Sequence, residues 1–411
     1  MKGAALLRAA ALALLLPAAG VAQEHVVVRP EPGTPVVAVE VLVSVGPADE
    51  TPEQAGLAYL TARAATAPIR PILDSLGARL VVQGHKDALS FTLTAAPDAW
   101  REASQTLLVA LFRDPADSAA TMRERAAIAA ELVGREASPA DALSRQVDRA
   151  AFGPDHPWGR PAVGYSSTVR TLTPADVHDF IRSRFVPERT AVAVVGPVEA
   201  EEARAHLRGF FQGAPWDAPR VEPGAPLESP VREEYNSITT WVAAVYPFPA
   251  DADEEAVRLL AELVTEGLSF GPSRSSVYNA RSEVARRPGG GELRIQLVVP
   301  PGEADAWARR IPEAVAGYAE NALSPAVFRE RLRRHRGLRL REMDTPEARA
   351  QAAARAVLLG RDGSVRPADM GGLDPERLRS TARSLGEPML VLLGPFLESS
   401  ASTASDTTTA R

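Results

Sequence analysis

The hydrophobic and polar positions of this 411-residue chain follow two periods. Runs of apolar residues that alternate with period two, or that are nearly uninterrupted, predict strands at 36–43, 89–93, 191–195, 238–245, 293–297 and 389–393. Apolar residues that recur every three to four positions predict helices, and those at 99–112 and 304–322 each follow a strand. We therefore predict an α+β fold, in which helices cover one face of a mainly antiparallel sheet.

The order of these elements occurs twice along the chain, with an offset of about 200 residues. Pro174 and Pro375, which are 201 positions apart, each follow a Thr or Asp cap and open a helix. The last strand of each repeat ends in a Gly-Pro pair. These features predict two homologous domains and a Pro- and Gly-rich linker, with the bounds 30–212, 233–396 and 213–232 respectively.

Both ends of the chain differ in composition from the body. Residues 1–22 combine a basic start, an apolar run of about 11 residues and small residues before the end, which predicts a signal peptide cleaved after Ala22. This run is shorter than the roughly 20 residues of a membrane-spanning helix, and an uncleaved anchor is the alternative. Residues 397–411 have no apolar period and predict a disordered tail. We expect a secreted or periplasmic protein, with no membrane span after signal removal.

Composition excludes several classes of protein. The chain has no Cys, which excludes disulfide scaffolds, Cys-ligated metal sites and thiol enzymes. Its 46 basic residues, of which only Lys2 and Lys86 are lysines, stand against 52 acidic residues. The basic cluster at 329–341 has leucines at helical spacing, which favours a solvated helix face over a nucleic-acid site. The six His are isolated from one another, so we predict no metal site and no other cofactor.

Four segments carry a resemblance to a known family: HPWGRPAVG at 156–164, TLT at 171–173, RFVPER at 184–189 and AVVG at 193–196. Their order is similar to that in zinc peptidases of the pitrilysin/insulinase type, which include the mitochondrial processing peptidase. The resemblance covers nearly the whole mature chain. It implies two homologous domains that form one half of a clam-shell, and two such halves enclose a chamber for unfolded peptides.

The chemistry of that family rests on an H-x-x-E-H motif, in which two His bind zinc and the Glu activates a water molecule. The resembling segment is GLAYLTAR at 56–63, where Tyr59 and Arg63 stand at the positions of the two His and Ala62 stands at that of the Glu. A phenol titrates at about pH 10 and a guanidinium keeps its proton, so neither is a zinc ligand at neutral pH. We therefore predict no catalytic residue and no metal at this site.

Other family positions are kept in part. Glu124 and Glu131 match an acidic pair whose second member is the distal zinc ligand, and we predict that Glu131 pairs with Arg63 instead. Two solvated helix carboxylates are the alternative. Arg281 matches an Arg with which the family holds its substrate, but the Tyr expected seven residues later is Pro288.

Two further sets are candidates for contact with peptides: Leu80, Val81 and Val82 on a predicted strand, and Gly267, Ser269 and Gly271 in a predicted loop. The strand corresponds to the edge to which the family adds its substrate as an extra strand, and a plain sheet edge is the alternative. The loop resembles a Gly-rich segment that admits substrates in the non-catalytic processing subunit, and a turn between helices is the alternative.

The resemblance implies a catalytically inactive subunit. We expect it to pair with an active zinc-peptidase homologue, or with itself, and to form one wall of a chamber that takes unfolded peptides. A stand-alone structural or peptide-binding module of the same fold is the first alternative, and an active metallopeptidase with an unrecognised site is the second. We expect no nucleic-acid partner.

Overall fold

The computed structural model describes residues 25–113, 116–211, 221–222, 224–270, 277–361, 363 and 372–396. The predicted signal peptide and C-terminal tail lie outside these residues. Strands of the first half are β1 (Val26–Pro30), β2 (Val37–Val43), β3 (Arg79–Gly84), β4 (Leu89–Ala95) and β5 (Thr190–Gly196). Strands of the second half are β6 (Val231–Glu233), β7 (Thr240–Pro249), β8 (Asn279–Arg287), β9 (Gly290–Val299) and β10 (Met389–Leu393).

These strands form two five-stranded sheets with the same connectivity. The first sheet has the order β1-β5-β2-β4-β3 and the second the order β6-β10-β7-β9-β8. In each sheet one outer pair is parallel and the others are antiparallel, which confirms the predicted mainly antiparallel α+β fold. The strand predicted at 238–245 begins only at Thr240, because Ile238 is 93% exposed.

The helices of the first half are α1 (Leu57–Thr66), α2 (Arg70–Ser75), α3 (Trp100–Phe112), α4 (Ser118–Glu136), α5 (Pro139–Phe152), α6 (Ser166–Val169), α7 (Pro174–Arg184) and α8 (Ala200–Phe211). Those of the second half are α9 (Glu254–Phe270), α10 (Ala304–Glu320), α11 (Pro325–Glu342), α12 (Pro346–Leu358) and α13 (Pro375–Ser384). The predicted caps form, since Thr173 and Asp374 accept hydrogen bonds from the backbone three residues on. None of the described helices is both long and apolar enough to cross a bilayer.

The inner face of each sheet packs against helices of its own half. Phe91 of β4 and Leu107 of α3 belong to one fully buried apolar cluster in the first half. Ile295 of β9 and Trp307 of α10 belong to the corresponding cluster in the second half. Each half therefore has a core of its own, built from period-two strand positions and one stripe of each helix.

The outer face of each sheet is covered by a helix from the other half. Helix α12 covers the first sheet, where its Ala353 belongs to the same buried apolar cluster as Ala38 of β2. Helix α5 covers the second sheet, where its Val147 belongs to the same buried apolar cluster as Val391 of β10. The sequence predicted helices on one face of each sheet only, whereas the structure has one further helix on the other face of each sheet. Because α5 and α12 are exchanged, each half of the chain completes the fold of the other.

The buried face of helix α11 differs from the one its leucines suggest. Phe328 and His335 are buried, whereas Leu340 is exposed. The ring nitrogens of His335 lie 2.7 Å from Glu262 and 3.3 Å from Glu255, both on α9. Burial alone would lower the pKa of His335, but its hydrogen bonds to the two carboxylates and their charges raise it to about 9. His335 is therefore a buried imidazolium at neutral pH.

Two arginines of α11, Arg331 and Arg339, are less solvated than the sequence suggests. Arg331 and Arg334 contact the two oxygens of Glu266 at 2.6 and 2.9 Å. Arg339 contacts Glu255 at 3.1 Å. Part of the basic cluster thus joins α11 to α9, and the predicted solvated helix face is wrong for Arg331 and Arg339, whereas Arg334 is exposed.

We expect His335→Gln to destabilise the protein at low pH more than at high pH. The folded-state pKa is about 9 and the unfolded value about 6.5, so this stabilisation is complete below about pH 6.5 and is lost as pH rises through about 9. Both carboxylates are partly exposed, and we expect a loss of about 2 kcal/mol at low pH. Urea unfolding of both proteins at about pH 6 and about pH 9.5 checks this. An equal difference at the two pH values would contradict it.

Candidate functional site

Helix α1 carries Tyr59, Ala62 and Arg63, and its start is held in place by a buried carboxylate. The Glu50 carboxylate accepts hydrogen bonds from the backbone N–H of Gly56 at 3.0 Å and of Ala58 at 2.7 Å. Burial raises the pKa of Glu50 to about 7, against these hydrogen bonds, which lower it. Gly56 has φ +98°, and a Cβ there would lie 2.7 Å from the carbonyl oxygen of Val163. The start of α1 is therefore held tightly against the 156–164 segment.

The side chains at the three motif positions have different surroundings. Ala62 is fully buried, in the core of the first half. Tyr59 packs beside the end of β3, where a Cβ on Gly84 would come within 3.3 Å of its ring. The guanidinium of Arg63 lies 5.8 Å from the centre of the Tyr59 ring and donates a hydrogen bond to its hydroxyl at 3.2 Å. Tyr59 and Arg63 therefore form one polar unit on α1.

Arg63 also pairs with both carboxylates of α4. Its Nε and Nη2 lie 2.8 and 2.7 Å from Oε2 of Glu124, and its Nη1 lies 3.5 Å from Oε2 of Glu131. The Arg63 and Glu124 side chains are largely buried, whereas that of Glu131 is 54% exposed. The predicted contact with Glu131 is present, but the closer and more buried partner is Glu124. We call the side chains of Tyr59, Arg63, Glu124 and Glu131 the α1–α4 site.

The charges in the α1–α4 site compensate one another without a metal. Burial would lower the pKa of Arg63, but the hydrogen bond to Tyr59 and the charges of Glu124 and Glu131 outweigh it, so the pKa is raised. Arg70 adds a second cation, 3.8 Å from Glu124. A permanent cation between two carboxylates does not fit a zinc ion, which needs deprotonated ligands at that place. Across the described residues, no group of three or more His, Asp or Glu side chains could hold a metal ion.

Strand β3, with the three candidates for peptide contact, forms one edge of the first sheet. It pairs only with β4, in a register that sets Leu80, Val81 and Val82 opposite Leu93, Thr92 and Phe91. Leu80 and Val82 pack against the core, while Val81 points to the other face. The outer edge of β3 therefore has no neighbouring strand in the described part of the chain.

The chain resembles known proteins both in sequence and in fold. A sequence profile described as "Peptidase M16 inactive domain" matches residues 171–328. An uncharacterized zinc protease of Mycobacterium leprae is 40% identical over 88 residues, which are 21% of this chain and 20% of that protein. One of Streptomyces coelicolor is 33% identical over 105 residues, 25% of this chain and 22% of that protein. The match thus spans about a fifth of the length of these relatives.

Solved structures extend the likeness in fold to most of the chain. A protease from Helicobacter pylori superposes with a TM-score of 0.74 at 17% identity, covering 90% of this chain and 97% of that one. A peptidase M16 inactive domain from Pseudomonas fluorescens has the same TM-score at 15% identity, covering 90% and 95%. The periplasmic protease of Escherichia coli has a TM-score of 0.70 at 12% identity, covering 89% of this chain but only 44% of that one.

The sequence profile and the superposed folds support the predicted resemblance to the pitrilysin/insulinase-type peptidases. In this resemblance, GLAYLTAR at 56–63, at the start of α1, corresponds to the zinc motif, with Tyr59 and Arg63 at the positions of the two His and Ala62 at that of the Glu. The two α4 carboxylates that match the acidic pair of that family both pair with Arg63.

The other two sequence candidates lie in the second half of the chain. Arg281 is on β8, the edge strand of the second sheet, and its Nε donates to Oε1 of Gln296 at 2.6 Å. Gly267 and Ser269 lie in the last turns of α9, where Ser269 donates to a carbonyl one turn back. Gly267 and Ser269 are therefore helical, so the predicted loop and its alternative, a turn between helices, are both wrong at these two positions. Gly271 lies outside the described residues.

A cavity of about 1130 Å³ with charged walls, which was not predicted from the sequence, lies between the two halves. Glu40 of β2 lines it and is only 1% exposed. It accepts hydrogen bonds from Ser90 at 2.5 Å and Thr92 at 2.7 Å, and burial raises its pKa to about 7 against these bonds. The signal in the sequence was a single Glu in the otherwise apolar strand at 36–43.

Proposed function

We propose that this protein is a catalytically inactive member of the pitrilysin/insulinase-type peptidase family and serves as the non-catalytic subunit of a two-component peptidase. Its partner is a homologue with an intact H-x-x-E-H motif, and the two chains enclose a chamber for unfolded peptides. The observation that carries the proposal is the pairing of Arg63 with Glu124 at 2.7 Å, which places a fixed cation where the family binds zinc. We propose a secreted or periplasmic location on the basis of the predicted signal peptide.

Two observations support the role as one wall of a chamber. The likeness in fold covers less than half of the Escherichia coli periplasmic protease, so a chain of this fold corresponds to one part of a longer peptidase. The outer edge of β3 is free of other described strands, so its backbone N–H and C=O groups can pair with an extended peptide. Binding by backbone groups suits a chamber that takes many sequences.

The absence of catalysis is tested by measuring metal and by rebuilding the motif. We expect the purified wild-type protein to contain no stoichiometric zinc and to show no chelator-sensitive cleavage of an unfolded peptide. The triple variant Tyr59→His, Ala62→Glu, Arg63→His restores H-x-x-E-H beside Glu131, and we expect it to bind about one zinc ion per chain. One zinc per wild-type chain, with chelator-sensitive cleavage, would contradict the proposal.

A matched control separates zinc binding from catalysis. The double variant Tyr59→His, Arg63→His keeps the buried Ala62 and supplies zinc ligands without the general base. We expect it to bind zinc and to leave the peptide uncut, because no carboxylate deprotonates the metal-bound water. It also covers the case in which a Glu at the buried position 62 prevents folding.

Pairing is tested with a homologue that is encoded in the same genome and has an intact H-x-x-E-H motif. The two chains, co-expressed with their signal peptides, should elute together from a sizing column at the mass of a heterodimer. Peptide cleavage by the pair should exceed that of the homologue alone. Elution as two separate species, with unchanged activity of the homologue, would refute the subunit role.

A further inference from the structure

The turn between β3 and β4 is anchored by the one lysine of the described residues. The ammonium of Lys86 donates to three acceptors: Oδ2 of Asp148 at 2.6 Å and the backbone carbonyl oxygens of Trp158 at 2.8 Å and Arg160. An ammonium has three N–H donors in a compact tetrahedral arrangement, whereas a guanidinium is planar. This geometry gives a physical reason for a lysine here, in a chain whose other basic residues, apart from Lys2, are arginines.

Asp148 connects this anchor to the second half of the chain. Its other oxygen, Oδ1, accepts from Nη2 of Arg294 on β9 at 2.6 Å. Nε of Arg294 in turn donates to Glu292 at 2.6 Å. Asp148, Arg294 and Glu292 are all buried, so these interactions are only weakly screened by solvent. Lys86 is thus tied through one carboxylate to the sheet of the other half.

The same turn has a second connection to the other half. Asp87 forms a bidentate pair with Arg355 of α12, at 2.8 and 2.7 Å. Arg355 also donates a hydrogen bond of 2.5 Å to the backbone carbonyl oxygen of Arg286, which lies near the end of β8. Consecutive residues of one short turn are therefore linked to the other half: Lys86 to β9 through Asp148, and Asp87 directly to α12 and through Arg355 to β8.

These anchors lie at the end of the free edge strand. β3 ends at Gly84, two residues before Lys86, and Gly84 packs beside Tyr59 of the α1–α4 site. Adding a strand to a sheet requires several backbone groups to be in register at once, so a small displacement of β3 affects every hydrogen bond. The turn is placed to fix this strand relative to the rest of the molecule.

We propose that Lys86 and Asp148 are positioning residues for peptide capture, because they tie the β3–β4 turn to the second half and so hold the edge of β3 ready to pair. The ligand class is an extended, unfolded peptide segment without Pro, since Pro lacks the N–H that a ladder needs. This rests on the proposed function, of which β3 would be the peptide-binding edge.

The test uses a defined peptide and variants of the full chain. The probe is a fluorescein-labelled octapeptide of alternating Val and Thr, and its control carries Pro at two central positions. We expect anisotropy titrations to show binding of the probe and not of the Pro control. Lys86→Met should weaken binding about tenfold or more, and Asp148→Asn should do the same, because each removes one end of the anchor.

A stability control separates positioning from general destabilisation. His335→Gln also breaks a buried ionic cluster, but one on α9 and α11, and should leave the dissociation constant unchanged. Hydrogen exchange of the amides of residues 79–84 should be about tenfold faster in Lys86→Met, with no change at β7. Lys86→Arg keeps the charge but not the tetrahedral donors, and we expect it to bind as weakly as Lys86→Met.

The possible outcomes distinguish the two proposals. Binding of the probe by wild type that Lys86→Met leaves unchanged would overturn the positioning role and leave peptide capture in place. Equal weakening by His335→Gln would also overturn it, because loss of stability alone would explain the effect. A wild type that does not bind the probe would refute peptide capture by β3 and the positioning role together, while the metal and pairing experiments would still decide the subunit role.

Discussion

Replacing Arg63 with Met should lower the free energy of unfolding by about 3 kcal/mol, because it leaves the Glu124 carboxylate largely buried without its closest cation. Met keeps most of the apolar stem of the side chain, so the loss reports the charge and the hydrogen bonds rather than a cavity. Urea unfolding at neutral pH, with the slope compared between the two proteins, measures the difference. A loss below about 0.5 kcal/mol would mean that Arg63 does not neutralise this site.

Two further variants assign this loss to the buried pair. Arg70→Met removes a cation that is 46% exposed and 3.8 Å from Glu124, and we expect it to cost less than about 0.5 kcal/mol. The double variant Arg63→Met, Glu124→Leu removes both charges and should recover most of the stability lost in the single variant. If the double variant is as unstable as the single one, packing of Arg63 rather than its charge explains the loss.

Replacing Glu40 with Gln should stabilise the protein by about 3 kcal/mol at about pH 8 and very little at about pH 4.5. The pKa of Glu40 is about 7 in the folded protein and about 4.5 in the unfolded chain, so folding favours the protonated form. The cost of burying the ionised form is absent below about pH 4.5, grows between the two pKa values and is complete above about pH 7. Gln is neutral throughout and removes this cost.

The hydrogen bonds of Glu40 provide the matched control. Ser90 and Thr92 each donate to its carboxylate, and Gln351 of α12 donates to Thr92 at 2.9 Å. In the wild type, Thr92→Ala should destabilise the protein more at about pH 8 than at about pH 4.5, because the ionised form loses a donor. In Glu40→Gln that pH dependence should disappear. If the free energy of unfolding of Glu40→Gln changes with pH as that of the wild type does, a group other than Glu40 titrates.

Much of the fold could be predicted because its signals are local. The apolar strands, the capped starts of the helices at Pro174 and Pro375, and the repeat of both along the chain are visible within short windows of sequence. The exchange of α5 and α12 was not predictable in this way. Each of these helices is amphipathic, and its pattern gives the apolar stripe but not the sheet against which that stripe packs.

The candidate site was predictable in its chemistry but less so in its geometry. That Tyr59 and Arg63 are poor zinc ligands, and that Ala62 is no base, follows directly from the identity of these side chains. The choice of partner for Arg63 does not, because Glu124 and Glu131 are two turns apart on one helix and the crossing of α1 and α4 decides which is closer. Sequence spacing alone favours neither.

The buried charged groups were missed for a related reason. Lys86 and Asp148 are 62 residues apart, and His335 and Glu262 are 73 residues apart, so no sequence window contains both partners. Arg281 looked like a family residue because of the residues around it. Its hydrogen bond to Gln296 depends on the pairing of β8 with β9, which only the sheet register provides.

The exchanged helices make the chain resemble two subunits that are joined by a linker. If the chain were cut between residues 213 and 230, each fragment would lack the helix that covers the outer apolar face of its own sheet. Neither fragment should be soluble by itself, whereas the two together should assemble as an obligate heterodimer with concentration-dependent stability. The linker raises the effective concentration of one half near the other, so this contact forms within a single molecule. A contact that would be a protein–protein interface in the cut chain is thus an intramolecular core contact in the intact one.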